Sequence, residues 1–521
     1  MKNRPLVAAL LVASALAFVA HTLVWNFVTD DAFISFVYAR NLVEKGELVF
    51  NLGERVEGYT NFLWTVLLAG FMKLNLQPEL MSRVLGTMFG LGSMLVTMRI
   101  ARLLRVDGIW VVLPALFLAS SPGYACWSSG GLETAMFTFF FTAAASRYLP
   151  THLDDAPPDL GMGILFGLAA LTRPEGILFF ALTGLHRVIV LVRRRRLPLR
   201  GDWLALAGFL VLVAPHVLWR HAYYGWWLPN TFYIKASGGQ GTWAQGAYYL
   251  LRMGEALHTP VAILVAVIAL VVTRGEVALQ RASAYVLFLT GVFYVYIASV
   301  GGDFMGLFRF AMPVVPLLFT LLVAALYAMA RTSRTVAIAA TALLLALHVA
   351  HAYPLTKRYE IIGADRGIDT PGFLRWYTAD RAAIGKWFGS VRQPDDYAAV
   401  GGAGAQVYYS RMPSLDCYGL SDAHIAHEVR PQSSRPGHQK YAPLEYQLSK
   451  HPTIITSNYY RCCSPAYDRV PYRPSPADDA EWSSRGYRYV SVRVPGLSSP
   501  WYSFLLRKDR QVPGLASETT P

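Results

Sequence analysis

Apolar runs alternate with short polar, arginine-rich stretches over the first two thirds of the chain, and the alternation stops near Tyr353. Runs at 7–28, 84–98, 108–121, 131–148, 161–172, 175–192, 203–220, 258–273, 282–300, 310–330 and 335–353 predict about eleven helical membrane spans. Those at 108–121 and 161–172 are shorter than the ~20 residues that cross a bilayer, so they are expected to tilt, break or be shielded by neighbours. A further run, Phe62 to Met72, is expected to lie in the interface or re-enter without crossing.

Basic residues set the orientation. Lys2 and Arg4, then Arg99, Arg102 and Arg105, then Arg187, Arg193 to Arg196 and Arg200, then Arg274 and Arg281, then Arg331 and Arg334 separate the runs. All five groups reach the cytoplasmic side only if 62–72 does not cross. The odd span count then sends the C-terminal part outside. The N-terminal run could be a signal peptide, with Ala17-Phe-Val-Ala20 as a loose cleavage site, but its length suits an uncleaved first span.

Beyond Tyr353, prolines, histidines and charges appear and no run long enough to cross remains. The expected organisation is a membrane domain over 1–353, with a first external loop over 29–61, followed by a soluble α/β domain over 354–521. Tyr397 to Val400, Thr453 to Thr456 and Tyr487 to Val494 read as strands. Gly401-Gly-Ala-Gly404 reads as a tight reversal rather than a phosphate loop, because no GxGxxG or P-loop lysine follows. His424 and His438 are expected in loops.

Composition supports this picture: 54% of the residues are hydrophobic and 15% charged, too apolar for one water-soluble core. The net charge of +14 does not point to nucleic acid, because the cations sit between apolar runs rather than on one soluble face. Four cysteines supply no metal-binding spacing. Cys417 is expected to be structural, and it, Cys462 and Cys463 could supply one bridge in an oxidising compartment.

With the orientation set, the charges that interrupt or abut apolar helices gather on the outer face. Asp30 and Asp31 end the first span, Glu133 opens a helix, and Arg173 and Glu175 lie in the break Leu-Thr-Arg-Pro-Glu-Gly. Lys235 closes Leu-Pro-Asn-Thr-Phe-Tyr-Ile-Lys, and Asp303 and Arg309 occupy Gly-Gly-Asp-Phe-Met-Gly-Leu-Phe-Arg. Charges at membrane depth are costly unless they pair or face a wet cavity, which predicts a shared site rather than interfacial anchoring. Carboxylates can deprotonate a hydroxyl and cations can hold a phosphate leaving group, a combination that suits transfer from a phosphate-linked donor. A transporter or flippase of a lipid-linked or anionic sugar is the alternative, though no internal repeat is visible. A membrane-anchored assembly factor is a third reading.

The string Asp30-Asp-Ala-Phe-Ile-Ser-Phe-Val-Tyr-Ala-Arg40, continuing to Leu48-Val-Phe-Asn-Leu-Gly-Glu-Arg-Val-Glu-Gly-Tyr-Thr-Asn-Phe-Leu-Trp64, resembles the GT-C superfamily of polyprenyl-phosphate-dependent glycosyltransferases, in the branch of the mycobacterial terminal arabinofuranosyltransferase. Gly130-Gly-Leu-Glu-Thr134, Leu228-Pro-Asn-Thr231, Asp416-Cys-Tyr-Gly-Leu-Ser-Asp422 and Gly437-His-Gln-Lys440 extend the likeness. The resemblance implies an inverting enzyme of the bacterial inner membrane with its C-terminal domain in the periplasm. It would move a sugar, arabinofuranose as first choice, from a polyprenyl-phosphate donor to a cell-envelope glycan or glycoconjugate. It makes Asp30 or Asp31 the catalytic base and assigns Arg173, Lys235 and Arg309 to the donor phosphate. Arg40, Glu57, Tyr59, Asn61, Glu133, Glu175, Asn230 and Asp303 become candidates for sugar or acceptor binding. Tyr59, Asn61 and Trp64 read equally as an interfacial belt, and Glu133 as a partner of its own helix dipole. Two adjacent carboxylates would allow a divalent metal, but adjacent residues rarely ligate one ion together, so none is assigned.

Overall fold

The computed structural model describes residues 4–235, 241–256, 276–433, 435–458, 460, 462 and 470–515. The expected run at 258–273, Cys463 and the side chain of Lys235 lie outside the described residues.

Helix α1 (Arg4–Trp25) is largely apolar, with Ser14, Phe18, Thr22 and Trp25, about one turn apart, buried on its inner face. After a short break, α2 (Asp30–Lys45) opens on two acidic residues, which the positive end of a helix favours. It closes at Gly46, whose φ of 74° lets its N–H reach the Leu42 carbonyl. All ten residues from Ala32 to Asn41 are buried. A polar-started helix covered on all sides must be wedged between larger bodies, here the helical bundle and the C-terminal sheet.

Next come α3 (Phe62–Lys73), α4 (Pro78–Leu103), α5 (Leu113–Ala119), α6 (Pro122–Ser129), α7 (Thr134–Leu153), α8 (Leu160–Thr172), α9 (Glu175–Arg193), α10 (Arg200–Tyr224), α11 (Asn230–Lys235) and α12 (Thr242–Ala256). Helices α13 (Val277–Ser299), α14 (Val315–Thr332) and α15 (Arg334–Glu360) complete the bundle. Among the described residues, seven are long and apolar enough to span: α1, α4, α9, α10, α13, α14 and α15. The count becomes eight if Gly108–Ala119 and α6, bent by 67° at Ser120-Ser121, form one broken span.

Of the other expected spans, the run at 258–273 lies outside the described residues and the rest are the shorter, bent or buried helices over 108–121, α7 and α8. The run at 108–121 bends back, α8 has 13 residues, and α7, with 20 residues, is almost wholly buried among other helices. An apolar run marks burial as readily as lipid contact. The α8–α10 contact shows why such helices pack so closely: a methyl at Gly163 would overlap the Ala205 carbonyl, and small residues let backbones approach.

The two ends of the bundle differ chemically. At one end, Arg187 pairs with Asp202 at 2.8 Å, His152 meets the Arg281 carbonyl at 3.1 Å, and Arg331 pairs with Glu276. At the other end α7 and α9 begin with Glu133 and Glu175, α10 finishes with the Tyr224 hydroxyl on the Leu48 carbonyl at 2.6 Å, and the sheet docks. Both ends of α3 belong to this second end. Asn61, just before it, bonds Glu133, and Glu79, just after it, accepts from Tyr409 of the sheet region at 2.8 Å. The helix therefore enters and leaves on one side, as the arginine pattern requires.

A hairpin of β1 (Ala364–Asp365) and β2 (Ile368–Asp369) leads to α16 (Pro371–Val391). Strands β3 (Ala398–Val400), β4 (Ser414–Asp416), β5 (Ile454–Thr456), β6 (Tyr487–Val492) and β7 (Tyr502–Arg507) form a sheet in the order β4-β3-β5-β7-β6. The three expected strands are all present. Strand β3 runs parallel to β4 and β5 with Val400, Asp416 and Thr456 in register, so the carboxyl ends of three strands share one edge. That edge faces the bundle, where loops of parallel sheets commonly carry function. Cys126 and Cys417 are free and buried, and Cys462 is disulfide-bonded, so Cys417 takes no part in the expected bridge.

Candidate active site

Where the loop after β3 meets the start of α2, one Asp30 oxygen accepts the Ala405 N–H at 2.8 Å. Ala405 opens α17 (Ala405–Ser410). Gly404 allows the approach, since a methyl there would lie 2.6 Å from the other carboxylate oxygen. Burial pushes Asp30 up to about 6, against the bonds from Ala405 and Gly404 that favour its charge. Arg381 of α16 adds a compensating cation nearby; it lies over the rings of Tyr377 and Tyr460 and donates to Gln406 at 3.4 Å.

A second carboxylate group faces the neighbouring helix positions. Asp369 pairs with Arg435 at 2.7 Å, and its pKa is raised to about 6 by burial and, opposing Arg435, by the charges of Asp303 and Asp31. Its backbone bonds the segment 304–306, with its N–H on Phe304 at 2.6 Å and its carbonyl on the Gly306 N–H at 2.7 Å. Asp303 itself pairs with Arg309 at 2.8 Å, both buried.

Below lies a buried chain of polar groups. Ser35, four residues from Asp31 and on the same face of α2, donates to Asn61 at 3.1 Å. Asn61 donates to Glu133 at 2.9 Å, Glu133 pairs with Arg173 at 2.7 Å, and Arg173 also forks onto Glu175 at 3.1 and 3.3 Å. Phe310 stands between the guanidiniums of Arg173 and Arg309, 5.2 and 5.4 Å from its ring centre, and one small cavity is lined by Arg173, Glu175, Arg309 and Phe310. Asp31, Asp303, Arg309, Arg173, Glu133, Glu175 and Asn61 thus form one connected electrostatic cluster, with Asp30 on its sheet-facing side.

Other expected residues lie elsewhere. Arg40, ten residues along α2 and so about 15 Å from Asp30, donates to the Tyr408 carbonyl at 2.6 Å. Tyr59 is buried with its hydroxyl 3.2 Å from that of Tyr224, and Trp64 is buried and donates to the Gly131 carbonyl at 3.3 Å, so neither forms an interfacial belt. Asn230 donates to the carbonyls of Gly419, Leu420 and Asp422 at 2.9, 3.0 and 3.2 Å, clasping the loop after β4. Glu57 is pushed up to about 8 by burial, opposed by Arg220 at 3.5 Å. It lines a small pocket of mixed character with Arg220, Phe62, Pro174, Ile177, Val213 and His216, separated from the Arg173 cavity by the Arg173-Pro174 break. His438 packs against Phe304 and Tyr418, while His424 lies on the short helix Ala423–Glu428, stacked on Tyr446, rather than in a loop.

Asp369, Arg381, Tyr377 and Arg435 escape a reading of the sequence. Arg435 stands two residues before Gly437-His-Gln-Lys440, a string that marks its neighbourhood, and Asp369 follows the last span directly. Arg381 leaves no signal, because its place on an amphipathic helix looks like any solvated cation. Among the described residues, no group of three or more His, Cys, Asp or Glu is placed to hold a metal ion.

A family described as a domain of unknown function (DUF8728) matches residues 373–505. The chain is 28% identical over 319 residues to a terminal beta-(1->2)-arabinofuranosyltransferase of Mycobacterium tuberculosis, covering 54% of this chain and 49% of that protein. It is 25% identical over 347 residues to the protein of the same name from Corynebacterium glutamicum, covering 58% and 49%. The chain spans about half the length of these curated relatives. Its fold matches ArnT from Cupriavidus metallidurans in the apo state with a TM-score of 0.58 at 14% identity, covering 96% of this chain and 98% of that one. ArnT bound to undecaprenyl phosphate gives 0.54 at 15%, covering 78% and 85%. The chain is a multi-pass membrane protein with the GT-C-like fold that its motifs led one to expect.

Proposed function

We propose that the chain is an inverting glycosyltransferase that takes a sugar, arabinofuranose by its relatives' names, from a polyprenyl phosphate and gives it to a hydroxyl of a cell-envelope glycan. Supporting this is the convergence of Asp31, Asp303 and Asp369 with Arg309 and Arg173 where the bundle meets the sheet. Asp30 has its carboxylate committed to the 404–405 loop and positions α2. Asp31, on the face shared with Ser35, takes the acceptor proton as the acceptor oxygen attacks the anomeric carbon. The bond to phosphate breaks with its electron pair on the phosphate oxygen, and Arg309, with Arg173 held rigid by two glutamates, stabilises that charge. The arginine-rich end of the bundle is cytoplasmic and the sheet periplasmic.

The test is reconstitution of the full chain in proteoliposomes with a polyprenyl-phosphate arabinofuranose and an arabinose oligosaccharide. Equal amounts of extended oligosaccharide and free polyprenyl phosphate, read by mass spectrometry, support the reading. Donor that crosses the bilayer uncleaved would instead establish the transporter.

A further inference from the structure

On the far side of α17 from Asp30, a groove of about 550 Å³ opens to solvent between Arg40, Gln77, Pro78, Glu79, Lys386, Tyr408, Tyr409 and Arg411. Phe33, buried between α2 and α17 with its ring 5.4 and 5.6 Å from those of Tyr408 and Tyr409, walls it off from the transfer site. Its charge is unbalanced. Arg40, Lys386 and Arg411, with Arg392 donating to the Arg411 carbonyl at 2.9 Å, face only Glu44 and Glu79. Glu44 is paired with Arg411 at 2.9 Å, and Glu79 accepts the Tyr409 hydroxyl. Burial, and then the neighbouring Arg411, pull the Arg40 guanidinium down to about 10, so these two cations repel one another.

The floor of the groove is the start of α4, a helix long and apolar enough to span, and from there an apolar stripe runs down its exposed face through Leu80, Val84, Met88 and Leu95. Leu74 and Leu76, in the turn before α4, are also exposed. Cations at the mouth of a groove, directly above a lipid-facing stripe, match the two ends of one amphiphile.

We infer that this groove holds the phosphate headgroup of an anionic phospholipid, with its acyl chains along Leu80, Val84 and Met88, and so ties α2, α4 and the sheet region to the membrane surface. The site does not depend on the transferase reading. Lys386 and Arg411 are exposed, so their replacement leaves the fold intact.

The experiment uses the full chain, delipidated in detergent and titrated with phosphatidylglycerol or phosphatidylcholine of identical chains, with bound lipid counted by native mass spectrometry. Phosphatidylglycerol should be retained at least fivefold better, and a Lys386→Gln, Arg411→Gln double variant of unchanged melting temperature should lose that preference. Glycerol phosphate should compete poorly, because it lacks the chains. Equal retention of the two lipids, or a preference that survives in the double variant, overturns the site. Glycerol phosphate competing as well as the lipid overturns the lipid assignment in favour of a small anion.

Discussion

Gly404 presses its backbone so tightly against Asp30 that a methyl added to it would overlap the Asp30 carbonyl oxygen and stand 2.6 Å from a carboxylate oxygen. With the bond from the Ala405 N–H to Asp30, which joins residues 375 positions apart, the contact sets the sheet on the mouth of the bundle. Gly404→Ala must push the loop away and break the bond from Ala405 to Asp30. Transfer by purified protein is expected to fall at least tenfold, while insertion of the spans is unchanged. Near-normal turnover would mean that the loop does not hold the site.

Asp30 and Asp369 both titrate near 6, each raised first by burial. The clasp on Ala405 is stronger with Asp30 ionised and the ion pair with Arg435 needs Asp369 ionised, so turnover is expected to fall as pH drops through about 6. Stability has the opposite sign. For an acid whose pKa rises on folding, its contribution is full below the ordinary carboxylate range and is lost as pH rises to 6. A pH series of turnover beside melting temperature checks both trends at once.

Arg173 is the shared partner of Glu133 and Glu175, all three buried or nearly so. Replacing it with methionine leaves two carboxylates without their cation, a change that costs about 3–5 kcal/mol when a buried pair is broken. Arg173→Met should therefore melt well below wild type. The triple change with Glu133→Gln and Glu175→Gln should recover much of the loss without restoring transfer.

Asn230 spends its amide on three carbonyls of the loop after β4. Asn230→Ala removes the amide that ties these carbonyls together, while Gly419 and Asp422 keep their backbone donors at 3.3 and 3.2 Å, and the loss is expected to cost about 1 kcal/mol. Limited proteolysis should then cut the 417–422 loop faster than in wild type, with the bundle still resistant.

Much of this was legible in the chain. The apolar runs located most helices because burial and lipid contact both select apolar residues, so α7, buried among other helices, and α8, of 13 residues, gave the same signal as the long exposed ones. The cluster from Asp31 to Arg309 was legible because a charge beside a helix break has few bland explanations. The glycines at 401–404 read as a tight reversal and form the short loop between β3 and α17, but nothing local reveals that Gly404 meets Asp30. Arg381 and Asp369 stayed hidden for that reason too: their meaning comes from long-range docking, which no periodicity records.

The most direct measurement is turnover of Asp31→Asn with donor binding followed in the same preparation. The account predicts a fall of about 10²–10⁴ in rate, the usual worth of a positioned base, with donor affinity kept and the melting temperature within a few degrees of wild type. A variant that transfers sugar at the wild-type rate would contradict it, because no base would then be acting at that position.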